Sequence, residues 1–268
     1  MAPVRIPTYL NEHRSWKCQL HLTRLILNFT EKHKNMKQLK FIILIMITVF
    51  MASCLKDDKQ ATGNGDAMIV AKKIGENTVY GISLYAYTFS SFQSVTAVSS
   101  ANPGKTYTLK ANQGFKTNFY YDTPDAEFTT TIPAAATYNF SAIFENGVSN
   151  NFQDVLSDKV LPLPTIDSCK YNSKTHLLEV NWTKLTDADS YAIYVMDGST
   201  PVFGSSQLAK AINTYSISAA GGGWANGFTP QSGKTYTVRL LAFLYEAEIN
   251  FYNVQASSLA EKIVVWGN

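Results

Sequence analysis

Residues 178–182 read Leu-Glu-Val-Asn-Trp, with apolar and polar side chains in strict alternation. That period of two is the pattern of a strand buried on one face, and no helix keeps it. Working outward, Asp189-Ser190-Tyr191-Ala192-Ile193-Tyr194-Val195 follows one turn later, and residues 232–242 read Ser-Gly-Lys-Thr-Tyr-Thr-Val-Arg-Leu-Leu-Ala. Upstream, comparable runs occupy 67–73, 79–89, 105–111, 116–122 and 136–144, rich in Thr, Val, Ile, Tyr and Phe and separated by Gly, Asn, Pro and Asp. Such residues suit a pleated surface, and such separators make turns. Only 206–212 reads as locally helical. The fold class expected is therefore all-β, as sandwiches or barrels of many short strands.

Leu161-Pro162-Leu163-Pro164 marks the expected break. Proline lacks the N–H a ladder needs, so alternating prolines suit a linker or a strand edge. The two parts, 67–161 and 162–268, each have the ~100-residue size of an immunoglobulin-like sandwich. Within the second, the 178–182, 189–195 and 232–242 patterns resemble the second, third and sixth strands of a fibronectin type III domain. Tyr236 takes the place of that family's corner tyrosine. The stretch Gly221-Gly222-Gly223-Trp224-Ala225-Asn226-Gly227-Phe228 departs from the family pattern. In the first part, 133–147 would supply the penultimate strand. Gly-Lys-Thr-Tyr-Thr occurs at 104–108 and 233–237, at different relative points in the two parts, so the two copies are not equivalent.

The chain begins differently. Residues 41–53 (FIILIMITVFMAS) form thirteen uncharged positions. As a helix they would cover roughly 20 Å, short of a ~30 Å bilayer core and the right size for a signal-peptide h-region. Met36-Lys37-Gln38-Leu39-Lys40 supplies a positive n-region; a short buried helix is the other reading of the run. Met51-Ala52-Ser53-Cys54 resembles the lipobox of bacterial lipoproteins, with Met51 where Leu is usual. Lys56, Asp57 and Asp58 resemble the Bacteroides-type surface-lipoprotein export signal. The resemblance implies a signal peptide at 36–53, acylation of Cys54, and a lipid-anchored place on the outer membrane, exposed at the cell surface. The membrane is then a partner through Cys54. Residues 1–35 lie upstream of this expected start at Met36, or else form an amphipathic helix around 20–29. Residues 54–66, without a large apolar side chain beyond Leu55, read as a flexible tether.

Charge follows the same division. The whole chain carries 23 Lys/Arg and 20 Asp/Glu, a formal +3. Residues 1–53 hold 8 of the former and 2 of the latter, leaving 15 and 18 in residues 54–268, a formal −3. The basic character leaves with the leader, and no nucleic-acid partner is expected. Charged residues make up 16% of the chain, against roughly 25% in soluble domains.

Few residues offer chemistry. Beyond Cys54 the chain has one His, His176, within a turn-like Asn172-Ser173-Lys174-Thr175, and one Cys, Cys169. That excludes a Ser-His-Asp arrangement away from His176 and a four-ligand zinc site. No metal ligand set and no cofactor is expected. Asp187 and Asp189 read as a turn or a weak Ca²⁺ site, and Glu246 and Glu248 as a solvated strand face. A glycan hydrolase using such carboxylates is a minor alternative, and no enzyme is expected. Trp182, Tyr191 and Tyr236 are assigned to packing. Trp224 and Phe228, in the Gly-rich stretch, are candidate ligand-binding aromatics or a lid folded onto the sandwich. Tyr245, Phe251 and Tyr252 form a second candidate patch, and Asn118, Tyr120 and Tyr121 a third. The function expected is non-catalytic binding at the cell surface, of a glycan in nutrient acquisition, with an adhesion or assembly module docking other surface proteins as the alternative.

Overall fold

The computed structural model describes residues 61–112, 114–247 and 253–267. The leader, Cys54 and the Lys56-Asp57-Asp58 signal lie outside the described residues. So do Glu248, Phe251 and Tyr252. None of the described helical segments is long and apolar enough to cross a membrane.

Seven strands make the first sandwich: β1 (Gly63–Ile74), β2 (Asn77–Thr88), β3 (Phe92–Ser99), β4 (Asn102–Asn112), β5 (Phe115–Asp122), β6 (Ala136–Phe144) and β7 (Ser149–Leu156). One layer has the order β1-β2-β5 and the other β4-β3-β6-β7, the end of β4 also pairing with β5. Alternation sets the core. On β6, for example, Ala136, Tyr138, Phe140, Ala142 and Phe144 point inward and every second residue does not.

The second sandwich contains β8 (Thr165–Asn172), β9 (Leu177–Thr183), β10 (Ser190–Asp197), β11 (Thr200–Gly204), the two-residue β12 (Leu208–Ala209), β13 (Thr214–Ser218), β14 (Thr235–Tyr245) and β15 (Val254–Val265). Its layers are β8-β9-β13 and β11-β10-β14-β15. Apart from β12, which pairs with β10, this is the strand order of the first sandwich repeated. The chain is thus two fibronectin type III-like sandwiches in tandem. Trp182, Tyr191 and Tyr236 are buried in the second core. The Gln231 N–H donates to the Tyr236 hydroxyl at 3.0 Å, the bond that fixes a tyrosine corner.

The sandwiches share a sheet. β15, the last strand, pairs in parallel with β1, the first, through Ile69↔Ala256, Val70↔Ser257 and Ala71↔Ser258. Ala256 is buried in the first core although its strand belongs to the second sandwich. The connector after β7 is strapped to the same strand. Gln255 Nε2 donates to the carbonyls of Ser157 and Lys159, both at 3.1 Å, and Ser258 Oγ donates to that of Pro162 at 2.8 Å. Leu161 is buried in the second core.

Two local expectations are corrected. Residues 63–66 are not tether but the start of β1. Their glycines serve close packing: a Cβ on Gly63 would lie 2.4 Å from the Phe152 ring, and one on Gly65 2.5 Å from the Phe140 ring. Residues 206–212 are not helical. Leu208 is buried and pairs with Tyr191 of β10, while Ser205 Oγ accepts from the Ile193 N–H at 2.9 Å. Pairing with β10 draws the segment into an extended course, so tertiary contact overrides its local helical composition.

Candidate functional site

The Gly-rich stretch closes onto the sandwich. Gly223 has φ +100°, and its carbonyl accepts from the Gly204 N–H at 2.9 Å, which brings Trp224 against β11. The Trp224 ring meets Phe203 at 5.0 Å, Trp266 at 5.4 Å and Phe228 at 5.6 Å, and its Nε1 donates to the Ser218 carbonyl at 2.8 Å. The ring is partly buried against the second core, and its one donor is bonded to the protein. Trp224 and Phe228 thus pack against the second core, the arrangement expected of a lid folded onto the sandwich.

Tyr245 is committed to structure as well. Its hydroxyl shares a 2.6 Å hydrogen bond with Ser190 Oγ and accepts another from Gln207 Nε2, and its backbone N–H donates to Asp189 Oδ2 at 2.9 Å. That bond gives Asp189 a structural task, whereas Asp187 is exposed in the turn before β10. His176 sits in the β8–β9 turn at φ 55°, and Cys169 is buried, its thiol pushed up to about 11 by loss of solvent. On β5, Tyr120 stacks on Tyr85 with centroids 6.4 Å apart, and Tyr121 meets Tyr107 edge-on at 5.1 Å. Asn118 stands opposite Tyr87 on the outward side.

The structure also assembles a group that the sequence analysis did not foresee. Asp66 on β1, Asp154 on β7 and Glu246 just after β14 each place a carboxylate oxygen within 4.8 Å of the others. Asp66 and Asp154 are each 7% exposed, and Glu246 Oε1 is closed off from solvent. This corrects the reading of Glu246 as part of a solvated strand face: β14 ends at Tyr245, and the next residue turns into the junction. It also qualifies the expectation of no metal ligand set, since three clustered carboxylates are the oxygen donors a hard cation takes.

The cause is the start of the parallel ladder. β15 joins β1 only from Ile69 onward, so just before that point β1 is paired with β2 on one side and has no ladder partner on the other. Asp154 accepts the Ala67 N–H at 2.8 Å, and Asp66 accepts the Val254 N–H at 3.2 and 3.3 Å. Burial, Asp154 and Glu246 together hold the Asp66 carboxyl well above the usual range, with the Val254 N–H pulling the other way. Burial raises Asp154 too, against the Ala67 N–H. Burial and these two acids push the Tyr87 hydroxyl up. No sequence motif could reveal the group, because its members are 88 and 92 positions apart and meet only through the joined sheet.

No family model matches the chain, and no curated protein matches it. Among solved structures it is similar to a two-fibronectin-type-III-domain segment of chicken tenascin, at 14% identity over 75% of this chain and 99% of that one, with TM-score 0.26. It is similar to fibronectin(III)-like modules of Clostridium thermocellum CbhA at 10% identity over 76% and 93%, TM-score 0.26. A third likeness is to a 1.5-MDa bacterial ice-binding adhesin, at 12% identity over 76% and 65%, TM-score 0.25. The assignment of the fold rests on the strand order repeated in the two sandwiches.

Proposed function

We propose that this chain is a non-catalytic, lipid-anchored surface module whose fused sandwiches form a stiff support that docks other surface proteins. The observation that carries the reading is the parallel β15–β1 pair. Tandem domains on a free linker move independently, whereas here a shared sheet and a strapped connector resist bending between them. Stiffness is useful to a spacer or assembly part and has no bearing on catalysis. The surface address comes from the resemblance around Cys54 and Lys56-Asp57-Asp58.

The test is made on intact cells. Protein carrying a photo-crosslinker on the exposed β7 residue Val155 should form a discrete protein adduct. Cys54→Ala should remove both acylation and that adduct. Adducts absent from every exposed position tried would overturn the docking role.

Glycan binding in nutrient acquisition is the second reading. It draws support from the Tyr85–Tyr120 stack on the outer side of β2 and β5, since aromatic faces suit sugar rings, and not from Trp224. A polysaccharide panel would then shift the melting temperature of the parent and not of Tyr120→Ala.

A further inference from the structure

The first sandwich has one pole at which its turns expose apolar side chains. β2 ends at Thr88, β3 begins at Phe92, β4 and β5 meet between Asn112 and Phe115, and β6 and β7 meet between Phe144 and Ser149. The registers put these turns at the same end: Gly63 pairs with Thr88, Asn112 with Phe115, and Phe92 with Phe144. Each carries an exposed apolar residue. Phe89 is 104% exposed, Phe115 59% and Val148 41%. The turns are also tied together. The Glu145 N–H donates to the Ser91 carbonyl at 3.0 Å, and Lys116 pairs with Glu145 across the β4–β5 and β6–β7 turns. Isolated exposed apolar residues are ordinary, but one on each of three adjoining, cross-tied turns makes a patch.

The chain reaches this same pole from its N-terminal side. Thr88 Oγ1 donates to the Thr62 carbonyl at 2.7 Å, so the polypeptide enters β1 directly beside Phe89. Cys54 stands only seven positions before Ala61. Seven residues span at most ~25 Å even fully extended. The second sandwich leaves toward the other end, since β15 first pairs with β1 at Ile69 and, beyond the Ala71↔Ser258 pair, continues to Val265 while β1 stops at Ile74.

We propose that this pole, through Phe89, Phe115 and Val148, docks on the lipid surface to which Cys54 is anchored. The inference rests on the reading of Cys54 as acylated. A short tether holds the pole at high effective concentration over the bilayer, so even weak insertion of a few apolar tips is realised. Anchor and tips act as two signals on one surface, and together they stand the joined sandwiches upright, with the second sandwich pointing outward.

The experiment uses the full chain, purified with its lipid and reconstituted in phosphatidylethanolamine/phosphatidylglycerol vesicles with or without lipid brominated in the acyl chains. The described tryptophans, Trp182, Trp224 and Trp266, all belong to the second sandwich, so the parent gives a quiet background. Phe89→Trp and Phe115→Trp, both at exposed positions, should lose most of their added emission to the brominated lipid. Ile263→Trp, exposed on β15, should lose none. Acylated protein that floats with the vesicles yet shows no quenching at either tip overturns the docking, leaves the anchor standing, and gives the pole to a protein partner. Equal quenching at position 263 overturns the upright orientation. If the mass of the N-terminal peptide shows no acyl group and the protein does not float, the anchor reading fails and the docking falls with it.

Discussion

Asp154 on β7 accepts a 2.8 Å hydrogen bond from the Ala67 N–H on β1, beside a second buried carboxylate, Asp66, that accepts from Val254 on β15. Two acids thus terminate a β-ladder that joins two sandwiches. Both have folded-state affinities for protons above those of an exposed Asp. The folded protein therefore binds protons that the unfolded chain releases, and stability falls as pH rises from the ordinary carboxylate range of about 4 through the raised values. The melting temperature should be higher at pH 5 than at pH 8. Asp66→Asn keeps an acceptor for Val254 and removes one charge, so it should raise the melting temperature at pH 8 and flatten its pH dependence. Each kcal/mol would appear as about 2–4 °C. Scanning calorimetry across pH decides it; an unchanged slope in the variant would clear Asp66 of the role.

Gly65 faces the Phe140 ring so closely that a Cβ would lie 2.5 Å from it, and Phe140 in turn stacks on Phe152 at 5.3 Å. Gly65→Ala should cost about 1–3 kcal/mol through overpacking. Gly104→Ala, whose nearest neighbour would be 4.0 Å away, should leave stability within about 0.5 kcal/mol of the parent. Urea titration of the pair measures the difference. Equal midpoints would show that the Phe140 ring moves aside freely.

This glycine marks where sequence reading stops. Alternation located the strands because the period of two is imposed locally by the pleat, and Leu178-Glu179-Val180-Asn181-Trp182 became β9 as written. Gly63-Asn64-Gly65-Asp66 has the composition of a tether, and the rings that require its glycines come from β6 and β7, about 75 to 90 residues away. Asp66, Asp154 and Glu246 were invisible for the same reason. Tyr236 lay at the opposite extreme: its partner Gln231 is five positions upstream, and the corner was legible. The legible features were those whose cause is near in the chain.

That corner yields its own measurement. Tyr236→Phe keeps the buried ring and removes only the acceptor for the Gln231 N–H. Because Gln231 is exposed and water can replace part of the lost bond, the expected cost is about 1 kcal/mol, at the low end for a hydrogen bond removed on one side. Chemical denaturation reads it directly. A variant as stable as the parent would mean that the corner is held by ring packing alone.

Trp224 separates a lid from a platform. Its ring packs on Phe203, Trp266 and Phe228, and its N–H is spent on the Ser218 carbonyl. Trp224→Ala should cost about 2–3 kcal/mol, somewhat below the range for a fully buried tryptophan because the ring is partly exposed. The near-ultraviolet circular dichroism of Trp266, its edge-on neighbour, should change with it. Trp224→Phe should recover part of the stability by restoring ring contacts while leaving the Ser218 carbonyl to solvent. An alanine variant that melts with the parent and keeps its aromatic dichroism would show the loop to be open in solution and would return Trp224 to the set of ligand-binding candidates.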